Sequence, residues 1–271
     1  MTEMRYSLPD GLRKLLPQRM AEGLRRFVWS LPNLRRELRS GLAVTVASPS
    51  DWVLYNDIFV EHEYDAAIDR ALESAGAGAD RPLTVVDLGA NVGYFTLRAA
   101  DRLTTAAPGV SLRFVLVEPN PFLAGELKRR VLSQPRLAGS VLLLQGLVGR
   151  REGTGVLFES PLHFESSLIA RSGLRRREVP YVDLDAALGA GRQVDLLKCD
   201  IEGAELEFLA AYPDLLRRTA VCVIELHPGK CDASACLRLL EEAGFDEWRI
   251  LREGNAWQVA LLWKSERSAD R

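Results

Sequence analysis

The chain has little cysteine, no surplus of positive charge and no long apolar run, and each shortage removes a class of protein. Four cysteines in 271 residues are too few for a disulfide framework. Cys199 and Cys222 sit inside apolar, strand-like stretches, as reduced buried thiols do. Cys222, His227, Cys231 and Cys236 follow the spacing C-x4-H-x3-C-x4-C, which lacks the C-x2-C pair of structural zinc sites. Zinc is therefore the weaker reading of that group. No stretch approaches the ~18 apolar residues of a membrane span, and the N-terminal MTEMRYSLPD has no apolar core suited to a signal peptide. The expectation is a cytoplasmic protein. A formal net charge of −2 gives no global basic field to hold nucleic acid or an anionic membrane, so neither is an expected partner.

What is present suits a globular domain with a sizeable core: 47% hydrophobic and 27% charged residues. Arginine greatly outnumbers lysine, which weakens any single arginine run as a sign of phosphate binding. Residues 1–40 carry Arg13, Arg19, Arg25, Arg26, Arg35, Arg36 and Arg39. Their leucines fall near helical spacing, interrupted by Pro17 and Pro32. They read as a helical arm of short amphipathic segments, with a solvated basic face preferred over membrane-surface binding. The main domain is expected over 41–264, and the polar end, 265–271, as a flexible tail.

From residue 84 the pattern is regular. The runs TVVDLG, SLRFVLVE, SVLLLQG, VDLLKCD and AVCVIELH alternate with helix-like segments at 92–103, 121–133, 203–212 and 232–243. Such near-continuous apolar strands mean a parallel sheet covered on both faces. DEWRILRE and AWQVALLWK, joined at Gly254-Asn255, read as a terminal antiparallel hairpin. Residues 149–180 break the alternation and read as an inserted hairpin or loop near the carboxyl edge of the sheet.

Open parallel sheets bind ligands beyond the carboxyl ends of their strands, where strand order reverses. The first run ends in Asp87-Leu88-Gly89-Ala90-Asn91-Val92-Gly93 and enters a helix whose first amides favour an anion. The second ends at Glu118, 25 residues past Gly93, where a carboxylate can accept both hydroxyls of an adenosine ribose. The glycines are spaced G-x-x-x-G, a poorer match to a pyrophosphate than the dinucleotide G-x-G-x-x-G, so a nicotinamide-dependent oxidoreductase is a lesser alternative.

The segments VVDLGANVGYFTL, VLVEPNP, VDLLKCDIEGAELEFL and VCVIELH, in that order over residues 84–228, resemble the FkbM family of methyltransferases. The run Lys198, Asp200, Glu202, Gly203, Ala204, Glu205 carries most of that resemblance. NDIFVEHEYDAAI is a weaker likeness upstream, and the first 40 residues have none. The resemblance implies a class I, Rossmann-like α/β fold with a seven-stranded, mostly parallel sheet of order 3-2-1-4-5-7-6, its last strand antiparallel. It implies S-adenosylmethionine as cofactor and methyl transfer to a hydroxyl of a small molecule, sugar or natural-product intermediate. Asp87, Gly89, Ala90, Asn91 and Gly93 would line the methionine end, joined by Asp200. Glu118 would hold the ribose beside Pro119 and Asn120. Gln145 stands where related enzymes often place an acid that reads adenine.

An alcohol is almost neutral at pH 7, so its methylation gains from a general base or a metal. Candidates at the ends of the fourth and fifth strands are His227 as base, Asp200 as its acidic partner, Glu202, and Glu225. Glu225 is alternatively a buried partner of Lys198. A divalent ion held by Asp200 and Glu202 is the competing design. Ser166 and Ser167 in the insertion are candidates for acceptor hydroxyls. Arg171, Arg175, Arg176 and Arg177 read as a solvated face, and His62 and His163 as surface or loop residues. Other acceptors on the same fold, an amino group, RNA or protein, stay open as alternatives, although no N/D-P-P-Y/F motif follows the fourth strand.

Overall fold

The computed structural model of the chain describes residues 34–76, 81–159, 175–189 and 191–265. The chain before residue 34, the tail after 265, and His163, Ser166, Ser167 and Arg171 lie outside the described residues.

Five parallel strands form the centre: β3 (Leu83–Leu88), β4 (Leu112–Val117), β5 (Val141–Leu144), β8 (Val194–Cys199) and β9 (Thr219–Leu226). The terminal hairpin, β10 (Glu247–Glu253) and β11 (Gln258–Trp263), joins them by antiparallel pairing of β11 with β9. The seven-stranded order is β10-β11-β9-β8-β3-β4-β5. Strand order reverses between β3 and β8, because β4 and β5 lie on one side of that junction and β9 on the other.

Alternation along the strands divides the core into two layers. Val85, Phe114, Leu116, Leu196, Val221 and Val223 face one layer; Val86, Val115, Leu197, Cys222 and Ile224 face the other. Four helices cover the first: α1 (Pro49–Tyr55), α2 (Asp65–Ala75), α3 (Tyr94–Ala106) and α4 (Pro121–Leu127). The second is covered by α5 (Leu184–Leu188), α6 (Glu205–Ala211), α7 (Pro213–Arg217) and α8 (Ala233–Glu242). Both faces are apolar because both are buried, each enclosed Leu, Val or Phe contributing about 1.5–3 kcal/mol.

Helix starts follow their caps. The Asn120 side chain accepts from Phe122 N at 2.9 Å, with Pro121 opening α4. That helix passes into a π turn over Lys128–Leu132 rather than running on as α-helix to 133. The helix expected over 92–103 begins at Tyr94, because Gly93 is left-handed with φ of 88°.

Three regions differ from or add to the sequence reading. Residues 34–37, expected in a helical arm, form β1 (Leu34–Glu37), paired antiparallel with β2 (Ala43–Val46). The pairing places Val44 and Val46 in the core, which an isolated amphipathic turn could not match. Helices α1 and α2 went unread, although Ser48-Pro49 carries a start signal: Ser48 Oγ accepts from Asp51 N at 3.1 Å. The insertion holds an antiparallel pair, β6 (Thr154–Glu159) and β7 (Arg175–Pro180), with a small core of Leu147, Leu157 and Val179. Among the described residues, no helix is long and apolar enough to cross a membrane.

Candidate active site

The first residue after each parallel strand forms a row along one edge of the sheet. In sheet order these are His227, Asp200, Gly89, Glu118 and Gln145. Gly89, Glu118 and Gln145 belong to the half built on β3, β4 and β5; Asp200 and His227 belong to the half built on β8 and β9.

The glycine turn is held from both sides. Gly89 N and Ala90 N each donate to Val117 O at 3.0 Å, and Asp200 N donates to Leu88 O at 3.2 Å. Gly89 has φ of 70°, and a Cβ there would come within 1.8 Å of Asp200 O. Only glycine fits that approach. At Gly93 a Cβ would come within 2.4 Å of Val131 Cγ2 and 2.8 Å of Leu127 Cδ2, so this residue sets how closely α4 and its π turn pack on the turn.

Glu118 is buried, 4% exposed, and its two oxygens are tied to two loops. Oε2 accepts from Asn91 N at 2.8 Å and Oε1 from Asn120 N at 2.9 Å. Burial pushes its pKa up to about 7 despite those two amides. Each oxygen keeps a second lone pair, so the carboxylate has capacity for the two hydroxyls of a ribose. The residues present thus fit an adenosine cofactor. Pro119 is half-buried beside it, and Gln145 is exposed at the end of β5.

Asp87 is fully buried and turned inward rather than toward the turn. It accepts from Thr96 Oγ1 at 2.8 Å, and its Oδ1 lies 3.5 Å from Lys198 Nζ. Asp87 and Lys198 are register partners on β3 and β8. Lys198 also donates to Gly89 O at 2.9 Å and Leu88 O at 3.3 Å, and lies 3.3 Å from Asp200 Oδ2. Burial works against the ammonium, but Asp200 and Asp87 outweigh it and raise its pKa above the ordinary lysine value. Lys198 therefore pairs with Asp87 and Asp200. Glu225, considered as its partner from the sequence, acts on Lys198 electrostatically and also lies 3.4 Å from His227.

On that side, His227 is 8% exposed, with Nε2 3.4 Å from Glu225 Oε1 and 3.7 Å from Glu202 Oε2. Burial lowers its pKa, as does Lys230, against the pull of Asp200 and Glu205. A lowered pKa favours the neutral form of the imidazole. Burial, with Asp200, Glu63 and Glu202 nearby, lifts Glu225 well above the ordinary carboxylate range. Glu202 adopts a left-handed backbone, φ of 55°, and pairs with Lys230. A non-glycine residue held there stores strain of the kind that gathers at functional sites.

Glu63 and Asp57 were missed by sequence reasoning. Both pair with Arg252 of β10, at 2.5 and 2.7 Å. Their element precedes the regular strand–helix pattern; the upstream run NDIFVEHEYDAAI was the available signal. His62 is exposed and lies 3.2 Å from Asp65. Cys222 and Cys236 are packed in the apolar core, and among the described residues no group of three or more His, Cys, Asp or Glu is arranged to hold a metal ion.

This fold and family match define the class: the chain is an S-adenosylmethionine-dependent methyltransferase. The methyltransferase FkbM domain matches residues 87–247, more than half of the chain, and the protein belongs to that family. No curated protein sequence matches it. Among solved structures it is similar to methyltransferase FkbM from Methylobacillus flagellatus KT, at 12% identity and a TM-score of 0.48. That alignment covers 77% of this chain and 60% of the other. It is also similar to magnesium protoporphyrin IX methyltransferase (ChlM) from Synechocystis PCC 6803 with bound SAM, at 12% identity, TM-score 0.46, covering 97% and 100%. The N-terminal domain of human METTL16 in complex with SAH aligns at 13% identity, TM-score 0.48, covering 96% and 98%.

Proposed function

We propose that this methyltransferase acts on a hydroxyl of a small-molecule, sugar or natural-product-intermediate acceptor, in the cytoplasm. The observation that carries the reading is His227, a buried imidazole at the rim of β9, in the row that also contains Asp200 and the glycine turn. S-adenosylmethionine, when bound, supplies a sulfonium methyl group and its own leaving group. In this reading Gly89, Ala90, Asn91 and Gly93 form its methionine-side wall, and Glu118, flanked by Pro119 and Asn120, takes the ribose. Asp87 acts behind that wall by holding Lys198, and Gln145 stands at the adenine end.

His227 Nε2 would take the proton of the acceptor hydroxyl as its oxygen accepts the methyl group, the bound cofactor supplying that group and leaving as the thioether. Glu202 and Glu225 stand beside Nε2, and the nearby Asp200 favours the imidazolium that results. Asp200, fixed by Lys198, orients the hydroxyl. Ser166 and Ser167 remain candidates for further acceptor contacts, and residues 1–40 for an acceptor-side arm.

The competing design is a divalent ion held by Asp200 and Glu202. Lys198 and Lys230 already neutralise those two carboxylates, which favours the imidazole. The test is His227→Ala, assayed by methyl transfer to a panel of hydroxyl- and amine-bearing acceptors at saturating cofactor, with and without chelator. Loss of a general base cuts turnover roughly 100- to 10,000-fold while cofactor binding survives. Activity that ignores His227 but vanishes with chelator moves the assignment to a metal, and transfer confined to amines overturns the hydroxyl reading.

A further inference from the structure

β10 is an outer strand of the seven-stranded sheet. β11 pairs with one of its edges, and among the described residues no strand pairs with the other. Its first four residues, Glu247, Trp248, Arg249 and Ile250, are all exposed, Trp248 by 60%. Register with β11 sorts them by face. Trp248 and Ile250 lie opposite Leu262 and Ala260, on the side covered by α5 to α8. Glu247 and Arg249 lie opposite Trp263 and Leu261, on the other side. Among the described residues, neither of these two charged side chains has an ion-pair partner. After Ile250 a bulge shifts the register, and Arg252 turns inward onto Asp57 and Glu63. The bulge ends the regular open edge at Ile250.

A free strand edge is ordinarily blunted by proline, by lysine or by a covering segment. Residues 247–250 hold no proline or lysine, and their two charges are opposite in sign, so they do not repel a second copy laid antiparallel. We infer that this edge is the contact between two copies of the chain, which pair β10 with β10 about a two-fold axis at Trp248 and run their sheets into one. Residues opposite each other in an antiparallel pair share a face, so the axis passes through a residue and not between two. An axis at Glu247 or at Arg249 sets that charge against its own copy, which is unfavourable. An axis at Ile250 sets Trp248 against Arg252 beyond the bulge and Glu247 against Glu253. An axis at Trp248 sets Glu247 of each copy against Arg249 of the other and brings the two indoles together on the opposite face. The pairing closes between Ile250 and Asp246, whose carboxylate is already held by Ser265.

The wild-type chain should sediment as a concentration-dependent dimer. Reversing one charge of the pair sets like charges opposite each other at both symmetric positions. Glu247→Arg and Arg249→Glu should therefore each weaken the dimer about tenfold or more. Both side chains are exposed, so neither change disturbs the core, and each variant should melt as the wild type does. The double variant Glu247→Arg/Arg249→Glu exchanges the charges without losing the pairing, and should recover the dimer. An equimolar mixture of the two single variants should form a mixed dimer although each alone is monomeric, because opposite charges face each other again across the axis.

Crosslinking reads the register separately. Trp248→Cys places a thiol of each copy on the axis, at the separation of directly opposite residues, which suits a disulfide. Oxidation should link two copies there well above the wild-type background. Ile250→Cys should not link, because its own copy lies four residues along the strand, roughly 13 Å away. A wild-type chain that stays monomeric at high micromolar concentration overturns the proposal, and exchange protection of amides 247–250 in that monomer would assign the edge to another segment of the chain. A dimer that both single reversals leave intact overturns it as well, placing the contact on a different face. So does a mixture of the two single variants that fails to associate while the wild type dimerises.

Discussion

Lys198 Nζ donates to the carbonyl of Gly89 at 2.9 Å, so the residue that allows the close approach of β3 to Asp200 is held by a buried ammonium from the neighbouring strand. The same ammonium touches Asp200. One side chain therefore fixes the end of β3, where the cofactor is proposed to bind, and the end of β8, where the acceptor is proposed to bind.

Lys198→Met should be strongly destabilising. It leaves Asp87 buried opposite an apolar side chain, and removing one partner of a buried pair costs about 3–5 kcal/mol. Adding Asp87→Asn should recover part of that loss, since the stranded charge disappears. Urea unfolding of the two single variants and the double variant measures it, and strictly additive losses would show that Asp87 and Lys198 do not act as a pair.

Gly89→Ala should be worse than a left-handed alanine elsewhere. Gly109 also has positive φ, 95°, but a Cβ there meets nothing within 4 Å. Gly109→Ala therefore reports backbone strain alone, about 1–3 kcal/mol. Gly89→Ala adds a collision with Asp200 O at 1.8 Å, which must push β3 and β8 apart. Equal losses of stability and unchanged cofactor affinity in both variants would refute the close-approach argument.

Glu118 predicts a pH dependence with a definite sign. Its pKa in the folded protein is about 7, against an ordinary 4.5. Its protonated form is thus favoured by folding. That contribution is full below about 4.5 and is lost as pH rises through 7. Binding runs the other way, because the ionised carboxylate is the better acceptor for ribose hydroxyls. Cofactor affinity should rise with pH up to about 7, by at most about tenfold per unit, and then level off. Glu118→Gln should flatten the profile and weaken binding by roughly 1.5–3 kcal/mol. Calorimetry that finds wild-type affinity constant across this range would place the ribose elsewhere.

The strand–helix alternation was legible because each central strand is buried on both faces and so reads as a continuous apolar run. Gly89, Glu118, Asp200 and His227 were legible for a related reason: each follows the last residue of such a run, and chain connectivity alone brings strand ends together. The first 80 residues were harder. Leu34–Glu37 is exposed throughout and paired on β2, so nothing in its own pattern announces a strand. Glu205 sits one residue into a helix, where an acid is expected for the dipole alone.

Arg252 supplies the last test, because it joins two segments far apart in sequence beside the proposed acceptor side. It pairs with Asp57 and Glu63 across 195 and 189 residues and stacks on Trp257, 5.3 Å from its ring centroid. Burial raises the Glu63 pKa, and Asp57 adds to that, while Arg252 draws it back. Glu63 in turn lies close enough to Asp200 and Glu225 to influence both. Arg252→Met keeps the length of the stem and much of its contact with Trp257 but removes the charge. It should cost about 1–3 kcal/mol of stability, the worth of charged hydrogen bonds discounted for partial exposure. The segment around Asp57 and Glu63 then loses its tie to the hairpin, so acceptor KM should rise more than kcat falls. Cofactor affinity should stay unchanged, because the glycine turn and Glu118 belong to the other half of the sheet edge. Steady-state kinetics with both substrates varied, beside calorimetry with the cofactor alone, separates these effects. Weakened cofactor binding with an unaltered acceptor KM would mean that Arg252 supports the cofactor half, and the division of the site along the β3–β8 junction would be wrong.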